Sequence, residues 1–271
     1  MRETARAKVN LALHVLGRRA DGYHELDTLF AFAESGDLLE AEAAEVLSFE
    51  VTGPFAKGLA PDRDNLVLRA ARALKERYAV DNAAALRLDK RLPVAAGLGG
   101  GSADAAAGLR LLVRLWGIDA PDADLLDLAA RLGADVPACF LSRTVRGQGR
   151  GDRLTPAARS VTGTPILLVN PGAALATADV FRRWSGPGSG PLPDDPLAGR
   201  NDLEPAAIAL APIVGEALDR LRAAPGVTLA RMSGSGATCF GLFGSGAERD
   251  SAAAAIRAER PAWWQLASCL V

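Results

Sequence analysis

Leu92 to Ala107 reads Leu-Pro-Val-Ala-Ala-Gly-Leu-Gly-Gly-Gly-Ser-Ala-Asp-Ala-Ala-Ala, with glycine at 97, 99, 100 and 101. In a strand or a helix interior each of these glycines would give up backbone entropy without a side chain to pack. The cluster suits a backbone that bends tightly and presents bare N–H groups. Behind it, residues 105–116 are helical by propensity and by period. A glycine loop that opens a helix is an anion site, because free N–H groups and the positive end of the helix dipole face the ligand. The anion it suits is the phosphate chain of a nucleotide. The Walker A pattern does not apply, since no lysine follows Lys90. The dinucleotide fingerprint also fails. Position 102 is serine, and Lys90-Arg91-Leu92-Pro93 stands where a buried strand is needed. The alternative is a glycine-rich surface turn capping an alanine helix.

Other polar side chains sit at spacings that invite chemistry. Across 7–16, Val9, Leu11, Leu13 and Val15 alternate with Lys8, Asn10, Ala12 and His14. Lys8 and Asn10 therefore share one face of a half-buried strand. By period alone, that face is expected to meet solvent. Asp135 lies in Gly133-Ala134-Asp135-Val136-Pro137, where a helix N-cap is the other reading. Ser102 and Asp104 stand at the start of that helix, where a pair of N-caps is the local reading. Met232-Ser233-Gly234-Ser235-Gly236-Ala237 is a second small-residue loop.

The elements that must hold these groups alternate between strand and helix signals. Asp21-Gly22 turns the first strand into a second over 23–32, and 37–42 and 46–52 read as further strands. A loop spans 53–63. Asp64 caps a helix to 78 with Leu66, Val67, Ala70, Leu74 and Tyr78 inward. A strand over 83–90 enters the glycine loop. Asp122 caps a helix that buries Leu125, Leu126, Ala129 and Leu132 and ends at Gly133. A basic strand–turn covers 146–152. Composition shifts over 154–164, which divides the chain into 1–155 and 156–271. Beyond it come a strand over 165–170, a short helix over 177–184 and a mobile Gly/Pro loop over 186–196. A helix over 204–222, strands over 227–232 and 237–243, a helix over 247–259 and a strand over 263–271 close the chain. The mixture predicts an α+β fold.

A chain of 271 residues with net charge −1 carries no electrostatic footprint for nucleic acid or membrane. Cys139, Cys239 and Cys269, with two histidines, give neither a disulfide framework nor metal spacing, so a reducing, cytoplasmic setting is expected. The longest uncharged run, 160–178, contains Pro165, Pro171 and Gly172 and does not read as a membrane span. The N-terminal stretch lacks a signal-like apolar core, because Asn10 and His14 interrupt it. The expected partner is a small molecule.

The pattern Pro-x-x-x-Gly-Leu-Gly-Gly-Gly-Ser at 93–102 resembles the phosphate loop of the GHMP kinases, the superfamily of galactokinase and of homoserine, mevalonate and phosphomevalonate kinases. That superfamily also carries an N-terminal lysine strand, here with Lys8, and a C-terminal Gly-x-Gly loop, here 232–237. Ala7-Lys8-Val9-Asn10-Leu11, Arg19-Ala20-Asp21-Gly22-Tyr23-His24, Asp64-Asn65-Leu66-Val67, Gly133-Ala134-Asp135-Val136-Pro137 and Asn201-Asp202-Leu203-Glu204 resemble one branch more closely. That branch is the family of 4-diphosphocytidyl-2-C-methyl-D-erythritol kinases of the non-mevalonate isoprenoid route. The likeness spans nearly the whole chain. Ala95 departs from it, since the family often has glycine there, as does Ala103, where some members have a second serine.

The resemblance implies two domains: an N-terminal ribosomal protein S5 domain 2-like domain and a C-terminal ferredoxin-like α/β sandwich. It implies ATP-dependent phosphorylation of the 2-hydroxyl of the diphosphocytidyl alcohol, giving the 2-phosphate and ADP. A homoserine- or mevalonate-type kinase and a non-catalytic nucleotide-binding regulator are the alternatives. It makes Lys8 and Asp135 the catalytic pair. It places Pro93, Ala95, Ala96, Gly97, Leu98, Gly99, Gly100, Gly101, Ser102 and Ala103 on ATP, together with Asn65 and Lys90. It places Asn10, Tyr23, His24, Thr177 and Phe181 on the substrate. Mg2+ would accompany ATP, with Ser102 its candidate ligand. A monomer or weak homodimer is expected.

Overall fold

The computed structural model describes every residue except 58, 60–63, 187 and 189, so those parts of the loops expected over 53–63 and 186–196 lie outside the described residues. The chain forms two compact units that interleave along the sequence. One comprises Met1–Ala7, Ser35–Val94 and Gly99–Ser142; the other comprises Lys8–Glu34, Ala95–Leu98 and Arg143–Val271.

Two long strands run through both units: β1 (Arg2–Arg18) and β2 (His24–Ala44). β2 replaces the two strands expected over 23–32 and 37–42. Ser35-Gly36, between those two stretches, lies inside β2, and Gly36 lets β2 lie directly on β1: a Cβ there would stand 2.8 Å from the Arg6 Cα. β1 is buried on both faces from Ala7 to Val15, not on one.

In the first unit β3 (Ser48–Thr52) pairs parallel with β4 (Ala83–Asp89), which pairs antiparallel with Leu38 to Ala44 of β2. Helices α1 (Leu66–Tyr78), α2 (Gly100–Trp116), α3 (Asp122–Leu132) and α4 (Val136–Leu141) complete it. Asn65, not Asp64, caps α1: its Oδ1 accepts from the Val67 N–H at 2.9 Å. Pro121 takes the cap position of α3 expected for Asp122, and Leu128 is buried where Leu126 was expected. The glycine run is not all loop, since α2 already begins at Gly100.

In the second unit Leu26 to Phe30 of β2 pairs with β5 (Val145–Gly149), which turns back as β6 (Arg153–Pro156). A separate antiparallel sheet holds β7 (Pro165–Asn170), β8 (Val227–Met232), β9 (Cys239–Phe243) and β10 (Trp264–Cys269) in the order β10-β7-β9-β8. That fourth-first-third-second order is the ferredoxin-like arrangement. Helices α5 (Thr177–Arg183), α6 (Glu204–Leu210), α7 (Ile213–Arg222) and α8 (Gly246–Glu259) accompany the sheet. The single helix expected over 204–222 is broken at Ala211-Pro212, where proline has no N–H to give. Leu13, Leu167, Val169, Leu218, Phe243 and Ile256 share the core of this unit.

Candidate active site

Lys8 and Asn10 point into the protein, 4% and 3% exposed. A buried ammonium needs partners. Lys8 Nζ donates to Asn10 Oδ1 at 2.9 Å and stands 4.6 Å from the centroid of the Phe30 ring. Asn10 Nδ2 donates to Thr28 Oγ1 at 2.8 Å, and that hydroxyl donates to the Ala12 carbonyl at 2.7 Å. Thr28, which no sequence signal marks, thus orients the amide that holds the lysine.

Asn10 also reaches the glycine loop. Its backbone N–H donates to Ser233 Oγ at 3.1 Å, and Ser233 Oγ donates to the Gly97 carbonyl at 2.8 Å. The neighbouring carbonyls are taken as well: Thr238 N–H donates to Ala96 at 3.2 Å and Lys8 N–H to Leu98 at 3.1 Å. Three successive acceptors of the loop are therefore held by protein donors, which keeps their lone pairs from a phosphate. Ala95, Gly97 and Gly99 have φ of 52°, 75° and 60°. Alternating left-handed residues turn N–H groups toward one concavity, an anion nest. Ala95 adopts this conformation without being glycine, at the position where the resembled family often has one. Asn201, in the Asn-Asp-Leu-Glu stretch, donates to the carbonyls of Met232 and Gly234, both at 2.8 Å, and so fixes the second small-residue loop. Thr177, at the start of α5, bonds Ser235 Oγ at 2.9 Å.

In the first unit the N-cap of α2 is Gly99, and no side chain caps the helix. The N–H groups of Gly100, Gly101 and Ser102 thus head a 17-residue helix with no side-chain acceptor. Ser102 is its third residue and not its cap. Asp104 does not cap it either: Oδ2 lies 2.6 Å from Lys90 Nζ, which also pairs with Asp37 Oδ2 at 2.5 Å. Lys90, expected on the nucleotide side, is buried between these carboxylates, and little of it is left to face a ligand. Burial pushes the Asp104 carboxyl up to about 8. Burial also works against the Lys90 charge, but Asp104 and Asp37 outweigh it and raise its pKa. Asn65, also expected near the nucleotide, spends its Oδ1 on the cap of α1. Asp135 takes the N-cap position of α4 but makes no side-chain cap bond, so the capping alternative does not describe it.

The aromatic set lies in the second unit. His24 stacks on Phe181 with centroids 4.7 Å apart and meets Trp184 edge-on at 5.7 Å. Burial first, then Arg18, lowers the His24 pKa, which favours a neutral ring. Its Nε2 is buried without a hydrogen-bond partner. Tyr23 is 56% exposed, with the Arg150 guanidinium 5.3 Å from its ring centroid. His24, not a second aromatic, therefore covers one face of Phe181, and Trp184 is a member of the set that spacing did not reveal.

Among the described residues no three His, Cys, Asp or Glu side chains gather to hold a metal, and no helix is long and apolar enough to cross a membrane.

Comparison with known proteins bears on this arrangement. The profile for GHMP kinases N terminal domain matches residues 65–143, and that for GHMP kinases C terminal matches 194–262. The chain is 57% identical over 276 residues to the 4-diphosphocytidyl-2-C-methyl-D-erythritol kinase of Rhizorhabdus wittichii, covering 99% of this chain and 94% of that one. It resembles a crystal structure of 4-(cytidine 5'-diphospho)-2C-methyl-D-erythritol kinase with a TM-score of 0.85 at 37% identity, over 100% of this chain and 99% of the other. A homoserine kinase from Cytophaga hutchinsonii shares the fold at 18% identity and a TM-score of 0.71, over 98% and 95% of the two chains.

Proposed function

This chain belongs to the GHMP kinases and, within them, to the family of 4-diphosphocytidyl-2-C-methyl-D-erythritol kinases, and from that premise we propose that it phosphorylates the 2-hydroxyl of the diphosphocytidyl alcohol that names the family. It is an ATP-dependent kinase with the two-domain GHMP fold. The observation that most supports the phosphoryl-transfer reading is the run Lys8–Asn10–Ser233–Gly97, which ties the buried lysine to the glycine loop by hydrogen bonds.

In this reading the N-terminal domain, 1–155, brings the loop and the catalytic pair, and 156–271 brings Phe181 and the Ser233 loop. The substrate hydroxyl attacks the γ-phosphorus in line while charge spreads over the phosphoryl oxygens, so catalysis is mostly positioning and electrostatics. Asp135 accepts the hydroxyl proton or holds the hydroxyl in line. Lys8, held by Asn10 beside the Phe30 face, lowers the pKa of that hydroxyl or meets the charge being transferred. The nest at Ala95–Gly99 and the uncapped N–H groups of α2 take the phosphates. Ser102 would hold the Mg2+ that accompanies ATP, which would neutralise part of the phosphate charge, while Asp104 faces Lys90 instead. A neutral His24 offers a ring nitrogen to the cytosine edge, with Phe181 and Tyr23 supplying faces, and Asn10 and Thr177 meet the rest of the substrate.

ADP release with the diphosphocytidyl alcohol, homoserine and mevalonate offered in turn tests the reading. Turnover confined to the first is expected. Equal or faster turnover with either of the others would move the chain to another branch.

A further inference from the structure

The function above leaves unexplained why a lysine and two aspartates are buried together beside a phosphate loop. Lys90 and Asp37 are 2% and 0% exposed, and Asp104 is 4% exposed. Each touches a different part of the loop's support. Asp37 comes from β2, and its Oδ1 accepts the backbone N–H groups of Arg91 and Leu92, at 2.6 Å and 2.8 Å, just before Pro93. Lys90 ends the approach from β4. Asp104 lies on the second turn of α2, just after Ser102 and Ala103. The group therefore grips the chain on both sides of the loop.

We infer that Asp37, Lys90 and Asp104 are positioning residues for ATP, setting where the first turn of α2 presents its N–H groups to the nucleotide phosphates. The inference rests on 93–103 being the ATP loop. Three observations support it. First, Lys90 Nζ lies within 2.6 Å of both Asp37 and Asp104, while Asp104 Oδ1 has no partner at all. A group chosen only for stability would not leave an orphaned oxygen, because a buried polar atom without a partner costs free energy and buried ions gain little net stability even when paired. Second, Lys90 Nζ stands 3.0 Å from where a Cβ on Gly100 would fall. A side chain at 100 would therefore press on the lysine beneath it and disturb the group. Third, the spacing places the grip where a small shift matters most. Asp104 lies two residues beyond Ser102, so displacing its carboxylate moves the helix turn that carries the anion-facing amides.

Asp37→Asn and Asp104→Asn keep side-chain shape and put an amide in place of the carboxyl that meets Lys90. The expected result in each is a rise in KM for ATP on the order of tenfold, since misplacing a binding group by about 1 Å is enough for that. KM for the alcohol substrate is expected to stay within error. An unchanged ATP KM in either folded variant overturns the inference, and so does an equal rise in both KM values, which would mean general loosening. Should both variants fail to fold, hydrogen exchange on the unaltered protein decides. The Arg91 and Leu92 amides must be protected before any nucleotide is added, and free exchange there until ATP arrives also overturns the inference. Gly101→Ala separates this test from the loop reading. If it raises the ATP KM while both aspartate variants do not, the loop stands and the positioning group falls. If it too leaves ATP KM unchanged, the loop reading itself has failed.

Discussion

Gly97→Ala asks whether the glycine loop and the Ser233 loop are built as one piece. Gly97 has φ of 75°, a left-handed conformation that costs an alanine about 1–2 kcal/mol. Its new Cβ would fall 2.9 Å from the Gly236 carbonyl oxygen and closer still to that of Ser233, both backbone atoms that cannot swing aside. Relieving the contact moves the loops apart and gives up the Ser233–Gly97 hydrogen bond, worth about 1 kcal/mol. The sum is a loss of about 2–3 kcal/mol in the second unit. Urea unfolding followed by tryptophan fluorescence reads it, because Trp184, Trp263 and Trp264 all lie in that unit. The catalytic consequence should be larger, with kcat/KM for ATP falling on the order of 100-fold as the loop shifts by about 1 Å. A Gly97→Ala protein with unaltered stability and unaltered kcat/KM would refute the reasoning.

The remaining predictions separate fold from chemistry. Gly101→Ala meets only Leu66 Cδ1 at 3.6 Å, so it should leave stability equal or raise it by up to about 1 kcal/mol in melting experiments, yet weaken ATP binding by calorimetry. Phe181→Ala should raise KM for the cytidine substrate by about 5- to 150-fold, the equivalent of one base stack of about 1–3 kcal/mol, with ATP KM unmoved. Asp135→Asn should lower kcat by about 10²–10⁴ while calorimetry finds ATP affinity intact. Asp104 holds its proton in the folded state up to about 8, whereas the unfolded chain releases it near the ordinary carboxylate value. Its contribution to stability is therefore full at low pH and lost as pH rises toward 8. Asp104→Asn should flatten that decline in unfolding curves taken from acid to neutral pH.

Much of this was legible in the sequence because it rests on backbone demands. Gly97 and Gly99 are glycine since their φ is positive, and Ala95, which departs from the family pattern, is left-handed all the same. The positions of β7 to β10 along the chain followed from short apolar runs bounded by turn residues, whereas their order in the sheet came only through the family resemblance. Period failed at β1, where alternation implied one wet face, because β1 is covered on both sides and long-range burial leaves no local trace. The break expected between 32 and 37 is absent, because Gly36 serves a close strand contact inside β2. Thr28 and Asp37 could not be picked out, and Ser233 and Asn201 stood out only as members of motifs, without their roles. Each acts by a hydrogen bond to a partner distant in sequence, as Asp37 does to Lys90 and Asn10 does to Ser233. Asn65 and Lys90 were expected on the nucleotide, but the cap of α1 and two carboxylates hold them first.

Phosphorus NMR of a single turnover tests the central claim most directly. With enzyme in excess over ATP and the diphosphocytidyl alcohol present, the γ-phosphorus signal should vanish. One new phosphomonoester should appear, coupled to the methylerythritol carbons at the 2-position, with the diphosphate signals unshifted and ADP formed in equal amount. Release of the γ-phosphorus as inorganic phosphate alone, or its arrival on the alcohol at any other oxygen, would contradict the account.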